Sequence, residues 1–351
     1  MPTPVPAPDA HVHPDRRARL TELIAAFRRR TVLVVGDLIA DEFIYGEVAR
    51  VSREAPVLIL KYDATQVIPG GAGNAATNVA ALGGRAALAG LAGADAEGRR
   101  LLASFPRTID RSRVIRSARY QTPVKTRILA GGTHSAKQQV VRIDRETDWP
   151  LDAAVSDTFA ERLSGALDGC DAIVLSDYGS GLVTPALAAA LRAALAKAGR
   201  AEVPVLLDSR YRLLEYHGLT TCTPNESEVE HALGVTIGDN AEALEQAGRA
   251  LLKRTRSQAV LITRGSRGMA LFEPKRKTVH VPIFGSDEVA DVTGAGDTVI
   301  ATFALSLAAG ATFEEATRLA NYAGGLVVMK RGTATVSAEE LTAAIASDLH
   351  G

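Results

Sequence analysis

Cysteine is nearly absent from this chain. Cys170 and Cys222 are the only two in 351 residues, too few for a disulfide framework or a four-ligand zinc site, and no histidine-rich cluster replaces them. A reduced, cytoplasmic setting is expected. Net charge is also lacking, with 40 Lys and Arg against 40 Asp and Glu. No whole-molecule field draws the chain to nucleic acid or to an anionic membrane, so neither is an expected partner, and any anionic ligand needs a local site. Long apolar runs are missing too: nothing reaches the roughly eighteen uninterrupted residues of a membrane span. The most apolar stretch, Val299 to Phe313, is broken by Thr302, Ser306 and Gly310 and reads as a buried helix. Residues 1–15 hold five prolines and no apolar core of a signal peptide, so they read as an extended tail in which His11 and His13 are inert. There is no G-x-x-x-x-G-K-[ST], no H-R-D or D-F-G pair and no G-x-S-x-G, so a P-loop NTPase, a protein kinase and an α/β-hydrolase lack support.

What the chain does contain is 46% apolar residues at a length that supports a deep core. From Thr31 onward, short β-branched runs alternate with Ala- and Leu-rich stretches of helical period. That alternation predicts an α/β architecture, a mostly parallel sheet with helices on both faces. Strands are expected at 31–35, 172–176, 203–207 and 259–263, and helices at 75–82, 153–167, 185–197, 241–253, 298–309 and 313–329. Segments 41–62 and 120–144 break the rhythm with strand-like pieces and no helix between them. They predict a small antiparallel sheet outside the main one, placed as a lid. Several main-sheet strands end in polar residues, Asp37, Asp177, Asp208 and Thr263 among them, and ligands of open α/β sheets sit at those ends. Each of these residues taken alone is better read as a cap of the following helix.

The strongest local signal is DVTGAGD at 291–297, followed at once by an apolar helix. Gly294, Ala295 and Gly296 can turn their N–H groups toward one anion at the helix start, where the helix dipole adds positive potential. Asp297, in the first turn, is expected to stay ionised beside that dipole. It would be a weak base, which suffices to orient a hydroxyl in phosphoryl transfer. The competing reading is a glycine-rich turn with Asp297 as a plain cap. A second cluster, PGGAGN at 69–74, also leads into a helix, and its glycines admit a ligand close to the backbone. Gly71 to Ala76 also fits G-x-G-x-x-A, with Asp95 at a distance suited to a ribose. A dinucleotide fingerprint needs a strand directly before its first glycine, and the polar stretch 63–69 ending in proline argues against one.

Taken in order, these motifs resemble the ribokinase/phosphofructokinase-B family of sugar kinases. The resemblance runs through Gly36-Asp37 and Asp41, Gly70-Gly71 to Asn74, the TPNESE segment at 223–228, TRGSRG at 263–268, the 291–297 signature and Asn321. It implies a ribokinase-like fold, as one kinase domain over residues 16–351 with the lid segments already named. It further implies that Asp297 is the catalytic base, with Gly294, Ala295 and Gly296 as the anion hole. Asp37, Asp41, Gly70, Gly71 and Asn74 would bind the sugar. Asn225, Thr263, Gly265, Gly268 and Asn321 would hold ATP, and Glu228 would act on Mg2+ through water. Asp291 and Thr293 with the 330–335 loop could hold K+, and the lid implies a homodimer.

Within the family, the segments at 35–41, 51–57, 122–127, 139–144 and 176–178 resemble the branch that phosphorylates a heptose 7-phosphate at its anomeric hydroxyl. A sugar phosphate needs cations, and Lys125, Arg127, Arg142 and Arg210 are the candidates, with Asp177, Glu54 and Tyr178 beside them. The competing reading is that these are solvated lid charges. Ser180 stands where many relatives have lysine, and Ser209-Arg210-Tyr211 replaces their Pro-Lys-Gly, so the contacts to the substrate phosphate are expected to differ. An unphosphorylated sugar or a nucleoside is the alternative substrate. A binding protein without catalysis is the alternative class. The chain closes at Gly351, just past the last helix, so kinase activity alone is expected of it.

Overall fold

The run Thr31–Gly36 forms the strand around which the other elements are arranged, in a computed structural model that describes residues 14–132, 137–146, 153–285, 291–330 and 332–348. His11 and His13, residues 133–136 of the second lid segment and Arg331 lie outside the described residues. The chain begins with α1 (Pro14–Ala26), β1 (Thr31–Gly36), β2 (Leu38–Val51), β3 (Leu58–Gly71), α2 (Ala72–Ala81) and β4 (Arg85–Gly93). It continues with α3 (Ala96–Ser104), β5 (Asp110–Ser117), β6 (Val124–Gly131), β7 (Gln138–Arg145), α4 (Ala153–Ser164), β8 (Ala172–Asp177) and α5 (Pro185–Lys197). Then come β9 (Val205–Ser209), β10 (Thr221–Cys222), α6 (Glu226–Leu233), α7 (Ala241–Thr255), β11 (Ala259–Thr263), β12 (Met269–Phe272) and β13 (Val279–Val281). Three helices close it: α8 (Ala295–Ala308), α9 (Phe313–Val328) and α10 (Ala338–Ser347).

Nine strands form one sheet in the order β13-β12-β11-β10-β9-β8-β1-β4-β5. Pairing is parallel from β11 to β5 and antiparallel at the β12 and β13 edge. The central strand β1 is buried on both faces, as its unbroken apolar run requires. Val32 and Val34 join a core with α1, α2, α8, α9 and α10, while Leu33 and Val35 join a second core with α4, α5 and α7. The expected α/β sandwich with a mostly parallel sheet is therefore present.

A second sheet, β3-β2-β6-β7, is the lid. It differs from the expected antiparallel sheet because β2 and β6 run parallel, from Ala40 opposite Val124 to Glu47 opposite Gly131. It is also longer than expected, since β2 starts one residue after Asp37 and β3 runs into Gly71 without a linker. A strand does precede the Gly70-Gly71 cluster, contrary to the argument made from its polar sequence. The dinucleotide reading fails for a different reason: β3 pairs antiparallel with β2 in the lid and lies outside the main sheet.

Smaller differences have local causes. Pro14 opens α1 inside the stretch expected to be a tail, and its fixed φ suits the first turn of a helix. Helix α8 starts at Ala295 rather than 298, and α2 at Ala72 rather than 75, each directly behind a glycine with positive φ. β4 went unread because Arg85–Gly93 is built from Ala, Gly and Leu and contains no β-branched residue.

Candidate active site

The strand ends converge as expected. Past the carboxyl ends of β8, β9 and β11, between them and the roots of β2, β3 and β6, lies a cavity of about 320 Å3. It is lined by Asp41, Gly71, Lys125, Arg127, Asp177, Arg210, Asn225, Glu228, Thr263, Gly294, Gly296 and Asp297 from the expected set. A second cavity of about 340 Å3 is lined by Gly265, Gly268, Ala295 and Asn321, with apolar Met269, Ile283, Val299 and Val328. Asn225, Thr263, Val292 and Gly296 line both. A group bound in one cavity thus meets a group bound in the other at the start of α8.

The geometry at that point follows from Gly294. It caps α8 in the left-handed region, at φ 77°, and a Cβ there would lie 2.5 Å from Asn74 Nδ2. The close approach lets Asn74 donate to Asp297 Oδ2 at 2.7 Å, while the Tyr178 hydroxyl meets Oδ1 at 3.3 Å. The amides of the turn expected to form an anion hole are not equivalent. The Ala295 amide donates to the Val292 carbonyl at 3.2 Å. The amides of Gly294, Gly296 and Asp297 make no hydrogen bond among the described residues, as the first turn of a helix predicts.

Asp297 is buried, and burial pushes its carboxyl up to about 7; Asp41 adds to the rise, while the Asn74 and Tyr178 hydrogen bonds and Lys125 oppose it. The expectation that the dipole keeps it firmly ionised is corrected. Desolvation outweighs the dipole here, and a base that titrates near neutrality is a better proton acceptor than an ordinary carboxylate.

Four cations reach the first cavity, on different terms. Arg127 is paired with Asp41 at 2.5 Å, both buried, and Arg142 with Asp144 at 2.9 Å. Lys125 and Arg210 make no ion pair among the described residues; both sit over the Tyr178 ring, at 5.4 and 5.8 Å from its centroid. Burial, then the charge of Arg210, lowers the pKa of Lys125. At longer range Asp144 and Asp41 act on Lys125, and Arg210 acts on Asp208 and Glu228.

On the opposite wall, Asn225 and Glu228 close a capping box on α6: Asn225 Oδ1 accepts from the Glu228 amide at 2.9 Å, and Glu228 Oε2 from the Asn225 amide at 2.9 Å. The N-x-x-E element is thus a helix cap as well as a lining feature, and Glu228 Oε1 makes no hydrogen bond among the described residues. Burial raises the Glu228 pKa. Asp208 also makes none; burial, then Glu228 and Asp297, push its pKa well up. Thr223 Oγ1 beside them is buried without a partner. Hard oxygen donors of this kind suit a small divalent cation shared with phosphate and water.

In the second cavity Gly268, at φ 75°, has no room for a Cβ against the Val281 carbonyl, and Asn321 donates to the Pro282 carbonyl at 2.8 Å. Gly324 and Gly325 complete a slot with little side-chain bulk. Near the mouth, Asp291 accepts from the Thr293 and Gly332 amides at 2.9 and 3.1 Å, and Lys330 donates to the Thr335 carbonyl at 2.7 Å and to Glu340 at 2.6 Å.

Three expected sugar contacts do not line the cavity. Asp37 is buried and accepts from the Tyr178 and Ser180 amides at 2.8 and 3.2 Å and from the Ser180 hydroxyl. Asn74 Nδ2 donates to Asp297 Oδ2 and to the Gly294 carbonyl. Gly70 leaves room for the Asp41 carboxylate. Asp177 does line the cavity, and its oxygens accept from Gly179, Ser209 and Tyr216 and pair with Arg212. Glu54 is exposed on the lid and does not reach the cavity. The sequence marks Asp208 only as a polar strand end and Thr223 only as part of the 223–228 segment, with a ligand role for neither; both line the cavity.

A model of the pfkB family carbohydrate kinases matches residues 29–341. The chain is 44% identical to the bifunctional protein HldE of Caulobacter vibrioides over 333 residues, 93% of this chain and 66% of that protein. It is 41% identical to HldE of Geobacter metallireducens over 327 residues, covering 93% and 65%. It therefore spans a little under two-thirds of the length of these relatives. Among solved structures it resembles an Arabidopsis thaliana ribokinase complexed with ribose and ATP (TM-score 0.67, 22% identity, 90% of this chain and 98% of that one). Phosphofructokinase-2 of Escherichia coli in complex with potassium is similar in the same way (TM-score 0.69, 18% identity, 90% and 98%). These two likenesses concern the fold.

Proposed function

The chain belongs to the pfkB family of carbohydrate kinases, and from that premise we propose that it transfers the γ-phosphoryl group of ATP to a hydroxyl of a phosphorylated sugar, a heptose 7-phosphate at its anomeric position. One observation carries the substrate class: Lys125 and Arg210, both unpaired, flank Tyr178 in the cavity that holds Asp297. The nearby carboxylates, Asp41 and Asp144 about Lys125 and Asp208 and Glu228 about Arg210, make no close ion pair with them among the described residues. A phosphate can contact both cations directly, which an uncharged sugar cannot.

In the proposed reaction the sugar hydroxyl lies against Asp297, which takes its proton as the new O–P bond forms and the bond from the γ-phosphorus to the ADP oxygen breaks. The free amides of Gly294, Gly296 and Asp297 offset the charge developing on the transferred group. The low-bulk slot around Gly268, Gly324 and Asn321 would take the nucleotide base, and the lid would exclude water. Glu228 would hold Mg2+ through water, with Asp208 and Thr223 beside it, and an ion held there would offset the charge of the nucleotide phosphates. For a monovalent ion the geometry is less favourable, because Lys330 already donates to the Thr335 carbonyl. Replacing K+ by Na+ is expected to change turnover by less than about twofold.

The chain covers part of relatives named bifunctional, and the match over residues 29–341 supports the reading that this span carries the kinase function. Both cysteines are buried and free, which fits the cytoplasmic setting proposed here. No helix among the described residues is long and apolar enough to cross a membrane. The lid also supports a homodimer: Val48, Val51, Val57, Leu58, Tyr62, Val140, Val141 and Ile143 are exposed on it.

The deciding experiment measures ADP release with heptose 7-phosphate, fructose, ribose and adenosine. The phosphorylated heptose is expected to be preferred in kcat/KM by at least about a hundredfold. An uncharged sugar or adenosine turned over equally well overturns the sugar-phosphate reading. No turnover across the panel with ATP and Mg2+ returns the chain to the binding-protein class.

A further inference from the structure

We infer that Tyr178 is a positioning residue that joins the general base to the lid cations: one side chain hydrogen-bonds Asp297 through its hydroxyl and carries Lys125 and Arg210 on its ring. The ring half of this inference rests on the sugar-phosphate reading; the hydroxyl half does not.

Tyr178 directly follows the last residue of β8. Its amide is tied to Asp37 Oδ2 at 2.8 Å, so the main chain is anchored to the end of β1, and the side chain departs from a fixed base. The carboxylate of Asp297 is held on both sides by neutral donors, Asn74 on Oδ2 at 2.7 Å and Tyr178 on Oδ1 at 3.3 Å. The longer bond is the one a substrate hydroxyl can share, which marks Oδ1 as the proton-accepting oxygen. A neutral donor at that distance favours the charged form of the base without forming a competing ion pair.

The ring does a second job. Lys125 comes from β6 and Arg210 from the turn after β9; neither makes a close ion pair among the described residues, although Asp144 and Asp41 act on Lys125, and Arg210 on Asp208 and Glu228, at longer range. Their mutual repulsion is offset in part by the face of the ring. An anion seated on these cations and the hydroxyl presented to Asp297 are thereby referred to one rigid group, with Arg127 and its partner Asp41 beside it. The charged groups around Asp297 are Asp41 on β2, Lys125 on β6 and Asp208 on β9, and Arg210 in the turn after β9 acts on Asp208 and Tyr178; Asn74 on α2 and Tyr178 are the hydrogen-bond donors to Asp297.

The two functions separate by substitution, because Tyr178→Phe keeps the ring and loses the hydroxyl, while Tyr178→Leu loses both. In the free enzyme, the side-chain carboxyl of Asp297 is followed by 13C NMR against pH, with Asp297→Asn as the assignment control. The midpoint in Tyr178→Phe is expected to rise by roughly half a unit to one unit. A midpoint that stays or falls overturns the hydroxyl role, and since no substrate is used, that result is independent of the substrate reading. With heptose 7-phosphate, Tyr178→Phe is expected to keep KM within about twofold while its acid limb of kcat moves up, and Tyr178→Leu to raise KM by about tenfold or more. An unchanged KM in a folded Tyr178→Leu protein that still prefers the phosphorylated sugar overturns the ring role; loss of that preference in the wild type instead fails the substrate reading and takes the ring role with it.

Discussion

At Asp297 two effects compete, and their sizes decide the outcome. A helix N-terminus favours a carboxylate by about 0.3–1 kcal/mol, and up to about 2 in the best geometries. Full burial shifts a carboxyl by up to about 3–5 units, each worth about 1.4 kcal/mol. The local sequence displays the dipole but not the burial, so it predicts the weaker of the two. Asp297→Asn is expected to lower kcat by at least about a thousandfold while ATP affinity changes by less than about threefold, read by ADP release and by calorimetric titration. Turnover above a tenth of wild type would remove Asp297 from the base role. Because the base must be unprotonated, wild-type kcat is expected to rise with pH through a midpoint near 7. Stability runs the other way. A carboxyl raised from 3.8 to about 7 in the folded protein contributes fully below its unfolded value, and that contribution is lost as pH rises through the folded one. Asp297→Asn should therefore gain thermal stability relative to wild type at pH 8 more than at pH 5; an equal difference at both pH values would argue against the shift.

At the level of single elements, α6 illustrates how a structural motif and a functional one coincide. The capping box uses Glu228 Oε2 and leaves Oε1 without a hydrogen bond among the described residues, and the residue that finishes the helix also lines the cavity. Sequence reading offers cap and ligand as alternatives, although both hold here. Glu228→Gln preserves the capping pattern and removes the charge. It is expected to leave the melting temperature within about 2 °C and to raise the Mg2+ concentration for half-maximal turnover several-fold. Asn225→Ala, by contrast, should cost about 1 kcal/mol of stability. A Glu228→Gln protein with normal Mg2+ dependence would reduce this pair to a cap. Strands β4 and β5 teach the opposite lesson: an Ala-Gly-Leu strand such as β4 gains its extended form from parallel pairing with β1, which no local propensity records.

For the whole molecule, the lid joins the site to the surface. Its roots, at Asp41, Lys125 and Arg127, line the cavity, and its far parts carry eight of the twelve large hydrophobics that are exposed among the described residues. Apolar side chains gathered on one appendage favour association between copies of the chain. Light scattering coupled to size exclusion is expected to give twice the monomer mass, and Tyr62→Glu combined with Ile143→Glu to give the monomer. A wild-type monomer at tens of micromolar would exclude this interface. Zero net charge is consistent with such pairing, because the copies do not repel at long range.

The order of the motifs along the chain determined the family, and with it the sheet, the lid and most of the cavity lining, because glycines with positive φ, strand-end carboxylates and helix caps leave local marks. Asp37, Asn74 and Asp177 share that legibility as polar residues near a site, but whether such a group faces a ligand or another protein atom depends on what packs against it from elsewhere. Only the tertiary structure decided that Asn74 and Tyr178 hold Asp297, that Arg127 is ion-paired with Asp41 while Lys125 and Arg210 make no close ion pair among the described residues, and that burial outweighs the dipole at Asp297. Each of these is a contact between segments up to 223 residues apart. Desolvation and pairing are properties of such contacts, and a local reading of the chain has no term for them.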